Sequence, residues 1–121
     1  MAGRNIRVIK FQTDYKIQNN KPVKLKVDYG YAQVGGSAVK LAGTPIPDEP
    51  PKSECYNFPT PAAGQVLLIK SVVSDVNDAT NKCSAIYSLA GGVVDQQFTS
   101  EGETEQDGDP ILFYAWITFV A

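Results

Sequence analysis

Five acidic residues near the end of the chain are its clearest candidates for chemistry, because they occupy every second position around Gly102 and Gly108. One interpretation is a solvated loop. The other is a cation site, since Ca²⁺ takes about six to eight oxygen ligands and carboxylates supply them. Calcium is the only cofactor that the sequence suggests, although the glycine spacing does not match an EF-hand loop. The five acids are Glu101, Glu103, Glu105, Asp107 and Asp109.

Two tyrosines and three lysines are the candidate binding residues. Tyr31 and Tyr56 lie close to predicted loops, where an aromatic ring could stack on a sugar. Lys24, Lys26 and Lys40 lie on predicted strands, and we expect them to form one basic face. Such a face could receive the acidic loop of a neighbouring copy.

Enzymatic activity is not expected. The chain contains no histidine, which removes the usual general base near neutral pH, histidine metal ligands and any Ser-His-Asp arrangement. The glycines form no phosphate-binding motif. Cys55 and Cys83 lack the spacing of a metal site, so we expect two buried free thiols or, as the alternative, one disulfide.

The charge is distributed unevenly along the chain. Residues 1–52 carry nine Lys or Arg against four Asp or Glu, a net charge of +5, and residues 53–121 carry two against nine, a net charge of −7. Basic and acidic strands could neighbour each other in one sheet, or the molecule could have two poles suited to head-to-tail contact between copies. An acidic chain is a poor candidate for nucleic-acid binding.

The stretch 111–120 is the element around which the rest is expected to be organised. It contains no charge and is rich in β-branched and aromatic residues, which favour a strand. A strand with one face in water carries polar residues on that face, and neither face of this stretch is polar. We therefore expect a central strand, or a strand whose second face is buried by a partner.

The remaining pattern predicts further short strands. Residues 23–29 alternate apolar and charged types, residues 65–74 are largely apolar, and residues 83–89 and 93–99 suggest a hairpin. Gly35, Gly36 and Ser37 suggest a tight turn. Six of the eight prolines lie within residues 43–64, which predicts a long connection without regular structure.

Together these elements predict an all-β chain, an antiparallel β-sandwich of about seven or eight strands with an immunoglobulin-like or jelly-roll arrangement. Residues 1–121 fit a single domain. Trp116 follows both cysteines, unlike the order in immunoglobulin domains, so the analogy with that fold stays loose.

The sequence indicates a non-enzymatic structural or interaction module that self-associates or docks in a larger assembly. The alternative is a small lectin-like sandwich that binds carbohydrate or another ligand, with or without calcium. Copies of the chain itself are the expected partners, whereas nucleic acid and membrane are not. No signal peptide and no run long enough for a membrane helix are found, so we expect a protein that is cytoplasmic or released without a leader.

Overall fold

The computed structural model describes residues 7–18, 21–31, 33–47, 54–77, 79–104 and 109–121. These residues form a two-layered β-sandwich of nine strands, which confirms the predicted fold class. In the same ranges no helix has the length and hydropathy needed to span a membrane. The strands are β1 (Arg7–Lys16), β2 (Val23–Tyr29), β3 (Val34–Leu41), β4 (Thr44–Ile46), β5 (Cys55–Phe58), β6 (Val66–Ser74), β7 (Lys82–Ala90), β8 (Gln96–Glu103) and β9 (Pro110–Val120).

Two sheets make up the sandwich. The large sheet has five strands in the order β1-β9-β6-β3-β4, and the small sheet has four in the order β5-β2-β7-β8. All neighbouring strands are antiparallel except β1 and β9, which pair in parallel from Arg7 with Ile111 to Lys16 with Val120. The last strand therefore lies between the first strand and β6, inside the large sheet.

The core lies between the two sheets, and β9 supplies much of it. Its odd-numbered side chains from Ile111 to Phe119 are fully buried. They face buried side chains of the small sheet, such as Leu25 and Tyr87. Removing each large apolar side chain from water contributes about 1.5–3 kcal/mol, so this alternation fixes the register of β9.

The sandwich itself buries only one of the two faces of β9. The even-numbered side chains, including Tyr114 and Trp116, are only partly buried. They point away from the small sheet, and their partial shielding comes from neighbouring side chains on the same surface. The central position was predicted correctly, but the second face lies on the outside of the sandwich.

The predicted turn at Gly35-Gly36-Ser37 is wrong, because β3 runs straight through these residues. Gly35 instead leaves space for the Tyr29 side chain, because a Cβ on Gly35 would lie 2.7 Å from carbon atoms of the Tyr29 ring. The strand thus lacks a side chain at this position so that the ring can pack against its backbone.

The proline-rich connection is also more ordered than predicted, since it contains the short strands β4 and β5. Pro45 is tolerated in β4 because this strand is at the edge of the large sheet, where a missing N–H costs no ladder bond. These two strands raise the count from the predicted seven or eight to nine. In addition, β8 extends to Glu103, so Glu101 and Glu103, which were predicted to lie in the acidic loop, belong to a strand.

Candidate interaction surface

The five candidate calcium ligands are distributed over different environments. Glu101 and Glu103 are exposed on the outward side of β8, whereas the Asp109 side chain is buried. Glu105 and Asp107 lie outside the described residues. Among the residues that the structure describes, no three acidic, cysteine or histidine side chains are grouped to hold a metal ion. Two residues apart on a pleated strand, Glu101 and Glu103 share one side of β8 at a spacing of about 6–7 Å.

A buried polar network, not recognised from the sequence, lies at the same end of the sandwich. The Gln33 Nε2 group donates a hydrogen bond to Asp75 Oδ1 at 2.9 Å, and the Thr104 hydroxyl donates to Asp75 Oδ2 at 2.6 Å. The Asp75 backbone N–H donates to the Asp109 carbonyl oxygen at 3.2 Å. These contacts satisfy buried polar groups and fasten the loops at this end.

The two candidate binding tyrosines do not form a site together. Tyr31 is 39% exposed, and its hydroxyl donates to Glu101 Oε1 at 3.2 Å. Tyr56 is only 3% exposed and packs in the core, so its prediction as a surface residue is wrong. The reason is the short strand β5, in which residue 56 points inward and its neighbours point outward.

The three candidate lysines do not share a face either. Lys24 and Lys26 are exposed on the outer side of the small sheet. Lys40 is exposed on the outer side of the large sheet. The sequence showed that each strand has a basic side, but it could not show that β2 and β3 belong to opposite layers. The predicted single basic face is therefore wrong.

A chain of hydroxyl groups leads from the surface into the core. The Tyr29 hydroxyl donates to a Glu54 carboxylate oxygen and is 2.6 Å from Ser37 Oγ, which is in turn 2.7 Å from Ser71 Oγ. Burial, and then the hydrogen bond to Glu54, raise the pKa of Tyr29 well above its usual range. A carboxylate only accepts, so the single O–H of Tyr29 is donated to Glu54 and Ser37 must donate to the Tyr29 oxygen. The Ser37 hydroxyl is then used in turn, and Ser71 donates to Ser37.

The cysteines are both free, but their environments differ. Cys83 is buried on the inner side of β7, and this burial raises the pKa of its thiol to about 11. Cys55 is partly exposed and points outward from β5, so only one of the two expected buried thiols is buried. Thiols on opposite faces of the small sheet could not form a disulfide without backbone movement.

The surface with the most distinctive composition is the outside of the large sheet. We call it the outer face and define it as the even-numbered residues of β1, β3, β6 and β9. One row across it consists of Val8, Leu112 and Val72, and two of these are substantially exposed, Val8 at 47% and Val72 at 40%. Val34 and Val66 on the same face are also exposed. A sheet face of this kind is unusual for a surface that meets only water.

Two aromatic rings occupy the centre of the outer face. Tyr114 and Trp116 stack with their ring centroids 5.8 Å apart and their planes at 18°. Lys70 Nζ lies 5.9 Å from the centroid of the Tyr114 ring, within the range of a cation–π contact. On the β1 side, Lys10 and Gln12 pair in register with Tyr114 and Trp116, and on the β6 side Lys70 and Leu68 do so. The sequence showed that Tyr114 and Trp116 lie on one strand, but it did not show which polar residues of the adjacent strands lie beside them.

An open hollow of about 610 Å³ lies beside the tryptophan. Tyr114 is not part of its wall, whereas Thr118 is, so the hollow lies toward Thr118 along β9 and away from the stacked tyrosine. Its lining is largely polar and comes from β1, β6 and β9. The lining residues are Gln12, Thr13, Asp14, Val66, Trp116 and Thr118.

Comparison with known proteins gives no relative for this chain. No protein-family model, curated protein or solved structure matches it.

Proposed function

We propose that this protein is a non-enzymatic interaction module that assembles with copies of itself through the outer face. The observation that carries the proposal is the exposed apolar row of Val8, Leu112 and Val72 beside the stacked rings of Tyr114 and Trp116. Tyrosine and tryptophan are the residues that most often anchor protein contacts. An exposed sheet of this composition is an aggregation hazard unless a partner covers it.

Charge favours a head-to-tail arrangement over a symmetric one. The outer face carries Lys10, Lys16, Lys40 and Lys70 against a single acid, Asp14, so two such faces would repel each other. The exposed carboxylates of Glu101 and Glu103 lie on the outward side of β8, in the other sheet. Contact between the basic face of one copy and the acidic strand of the next is a heterologous interface, which can propagate.

Sedimentation velocity over a wide concentration range tests this proposal. We expect the average mass to rise with concentration and to fall at high salt, because salt screens exposed charges. The double substitution Lys10→Glu/Lys70→Glu should abolish the rise. The matched control Lys24→Glu/Lys26→Glu makes the same charge change on the outer side of the small sheet. It should not abolish the rise, because it only adds negative charge to the side that already carries Glu101 and Glu103.

A rescue experiment makes the test more specific. A Glu101→Lys/Glu103→Lys variant should fail to assemble alone but should assemble with the Lys10→Glu/Lys70→Glu variant, since the opposite charges are then restored. Thermal melts would show that each variant is folded. A monomer at every concentration, or an assembly that the control pair disrupts equally, would overturn the proposal.

The second candidate function is the binding of a small ligand at the hollow beside Trp116. One observation favours it: an indole ring borders a hollow of about 610 Å³ that also presents an amide, a carboxylate and a hydroxyl group. Ligand sites in proteins typically measure roughly 300–1,000 Å³ and combine aromatic surface with a few polar groups. The loop tyrosines predicted from the sequence have no part in it.

A further inference from the structure

We infer that the hollow beside Trp116 binds the apolar face of a neutral sugar ring. The inference names the ligand class for the second candidate function and does not depend on self-assembly. Its basis is a combination of one aromatic side chain and a set of hydrogen-bonding groups placed around it by the neighbouring strands β1 and β9, with Val66 of β6 completing the wall.

Trp116 supplies the aromatic surface for stacking. Tyr114 stacks against the indole with the ring centroids 5.8 Å apart, and the hollow, which Trp116 lines, lies toward Thr118, away from Tyr114. A pyranose ring presents a face of C–H groups, which packs on an aromatic ring and removes apolar surface from water. The stack with Tyr114 also limits the rotamers of Trp116, so the platform is partly ordered before a ligand arrives.

The polar groups fit the rim of such a ring. The carboxylate of Asp14 only accepts hydrogen bonds, whereas the Gln12 amide and the Thr118 hydroxyl can both donate and accept. Sugar hydroxyls are donors and acceptors in turn, and each therefore finds a complementary group. Asp14 and Thr118 pair in register across β1 and β9, and Gln12 pairs with Trp116, so the backbone fixes their relative positions.

The charges argue against an ionic ligand. A guanidinium or ammonium group could stack on the indole beside Asp14, but Lys10, Lys16 and Lys70 give this region of the outer face an excess of positive charge. An anion would be drawn to those lysines but would meet the Asp14 carboxylate inside the hollow. A neutral polyhydroxy ligand avoids both conflicts.

Fluorescence tests the inference directly, because Trp116 is the only tryptophan in the chain. The protein is titrated, at a concentration where sedimentation shows one species, with neutral oligosaccharides of glucose, mannose, galactose and N-acetylglucosamine. Arginine amide and a polyuronate serve as cationic and anionic probes. We expect a saturable change of emission with at least one neutral sugar and none with the charged probes.

Substitutions then connect the signal with the hollow. Gln12→Ala and Asp14→Asn should each weaken sugar binding by about tenfold or more, the effect of losing a hydrogen bond in the complex, while the melting temperature changes little. Gln97→Ala removes the same amide from the exposed side of the small sheet and should have no effect.

The outcomes separate the two claims. A response only to arginine amide or polyuronate would overturn the sugar assignment but keep the hollow as a ligand site. A sugar response that Gln12→Ala and Asp14→Asn leave unchanged would overturn the placement in the hollow. No response to any probe would overturn both the sugar assignment and the second candidate function, without bearing on self-assembly.

Discussion

Single residues in this protein combine packing with hydrogen bonding, and Tyr29 is the clearest case. Its ring packs on the backbone of Gly35, and its hydroxyl links Glu54 to Ser37. The alternation of residues 23–29 predicted an inward-facing side chain. It could not reveal the hydroxyl chain, because Ser37 was predicted to lie in a turn and Glu54 is 25 residues away in the sequence.

Removing the Tyr29 hydroxyl should therefore destabilise the fold. Tyr29→Phe removes the hydrogen bonds of this hydroxyl to Ser37 and Glu54, so only the longer contacts of the Tyr56 hydroxyl with these two residues remain, each at 3.4 Å. We expect the change to lower the free energy of unfolding by roughly 1–3 kcal/mol. Urea denaturation measures the change. Tyr31→Phe is the control, because that hydroxyl is exposed and should matter by less than about 0.5 kcal/mol. Equal effects of the two substitutions would contradict the role given to Tyr29.

The two thiols should differ in reactivity. Cys55 is partly exposed, whereas Cys83 is buried and the pKa of its thiol is raised to about 11. Since the thiolate is the reactive form, Ellman's reagent at neutral pH should modify Cys55 rapidly and Cys83 only on unfolding. Cys55→Ser should remove the rapid phase. Two rapid phases, or none in the wild type, would show that the environments are assigned wrongly.

At the scale of elements, glycine was the least reliable guide in the sequence. Gly35 and Gly36 suggested a turn, yet they lie within β3, where Tyr29 needs the space. Between β7 and β8, in contrast, the glycines predicted the hairpin correctly. Gly91 has a φ of +97°, and the Gly92 backbone N–H donates to the Tyr15 hydroxyl at 3.0 Å. Local sequence alone does not distinguish these two uses of glycine.

A matched pair of glycine substitutions isolates the contact made by this hairpin. Gly91 and Gly64 both have positive φ, +97° and +92°, but only at Gly91 would a Cβ meet a neighbour, the Pro22 carbonyl oxygen at 2.1 Å. Gly64→Ala should cost about 1–3 kcal/mol for the backbone conformation alone. Gly91→Ala should cost measurably more in the same denaturation experiment. Equal losses would mean that the hairpin does not pack against this part of the chain.

For the whole molecule, periodicity predicted most of the architecture and little of the surface. The apolar runs at β6 and β9 were recognised because strands inside a sheet need such residues. The assignment of β2 and β3 to different layers was not, because it depends on pairing between distant segments. This is also why Lys24 and Lys40 appeared to share a face, and why the groups around Trp116 were missed.

Two buried tyrosines, Tyr15 and Tyr87, and the partly buried Tyr29 should make the whole fold sensitive to alkali. Burial raises the pKa of Tyr15, Tyr29 and Tyr87 above 10.0, and that of Tyr87 to about 12. The unfolded chain therefore releases these protons at lower pH than the folded one. The contribution of these tyrosines to stability should be constant below about pH 10 and should fall above it, by roughly 1.4 kcal/mol per pH unit for a group such as Tyr87. The buried Cys83 thiol acts in the same direction from about pH 9, the ordinary pKa of a thiol.

Denaturation midpoints measured on both sides of pH 10 check this expectation, with 10.0 the ordinary pKa of a tyrosine. Tyr87→Phe removes one of the three groups and should reduce the slope of stability against pH. A slope that is the same in the variant, or a stability that rises with pH in this range, would contradict the burial of the Tyr87 hydroxyl.

The central claim is that the outer face of the large sheet is open in a single copy and becomes covered when copies meet. Acrylamide quenching of Trp116, measured as a function of protein concentration, tests it most directly. We predict efficient quenching in dilute solution, a decrease as concentration rises, and recovery at high salt or in the Lys10→Glu/Lys70→Glu variant. Quenching that is weak even in dilute solution, or that does not depend on concentration, would contradict the account.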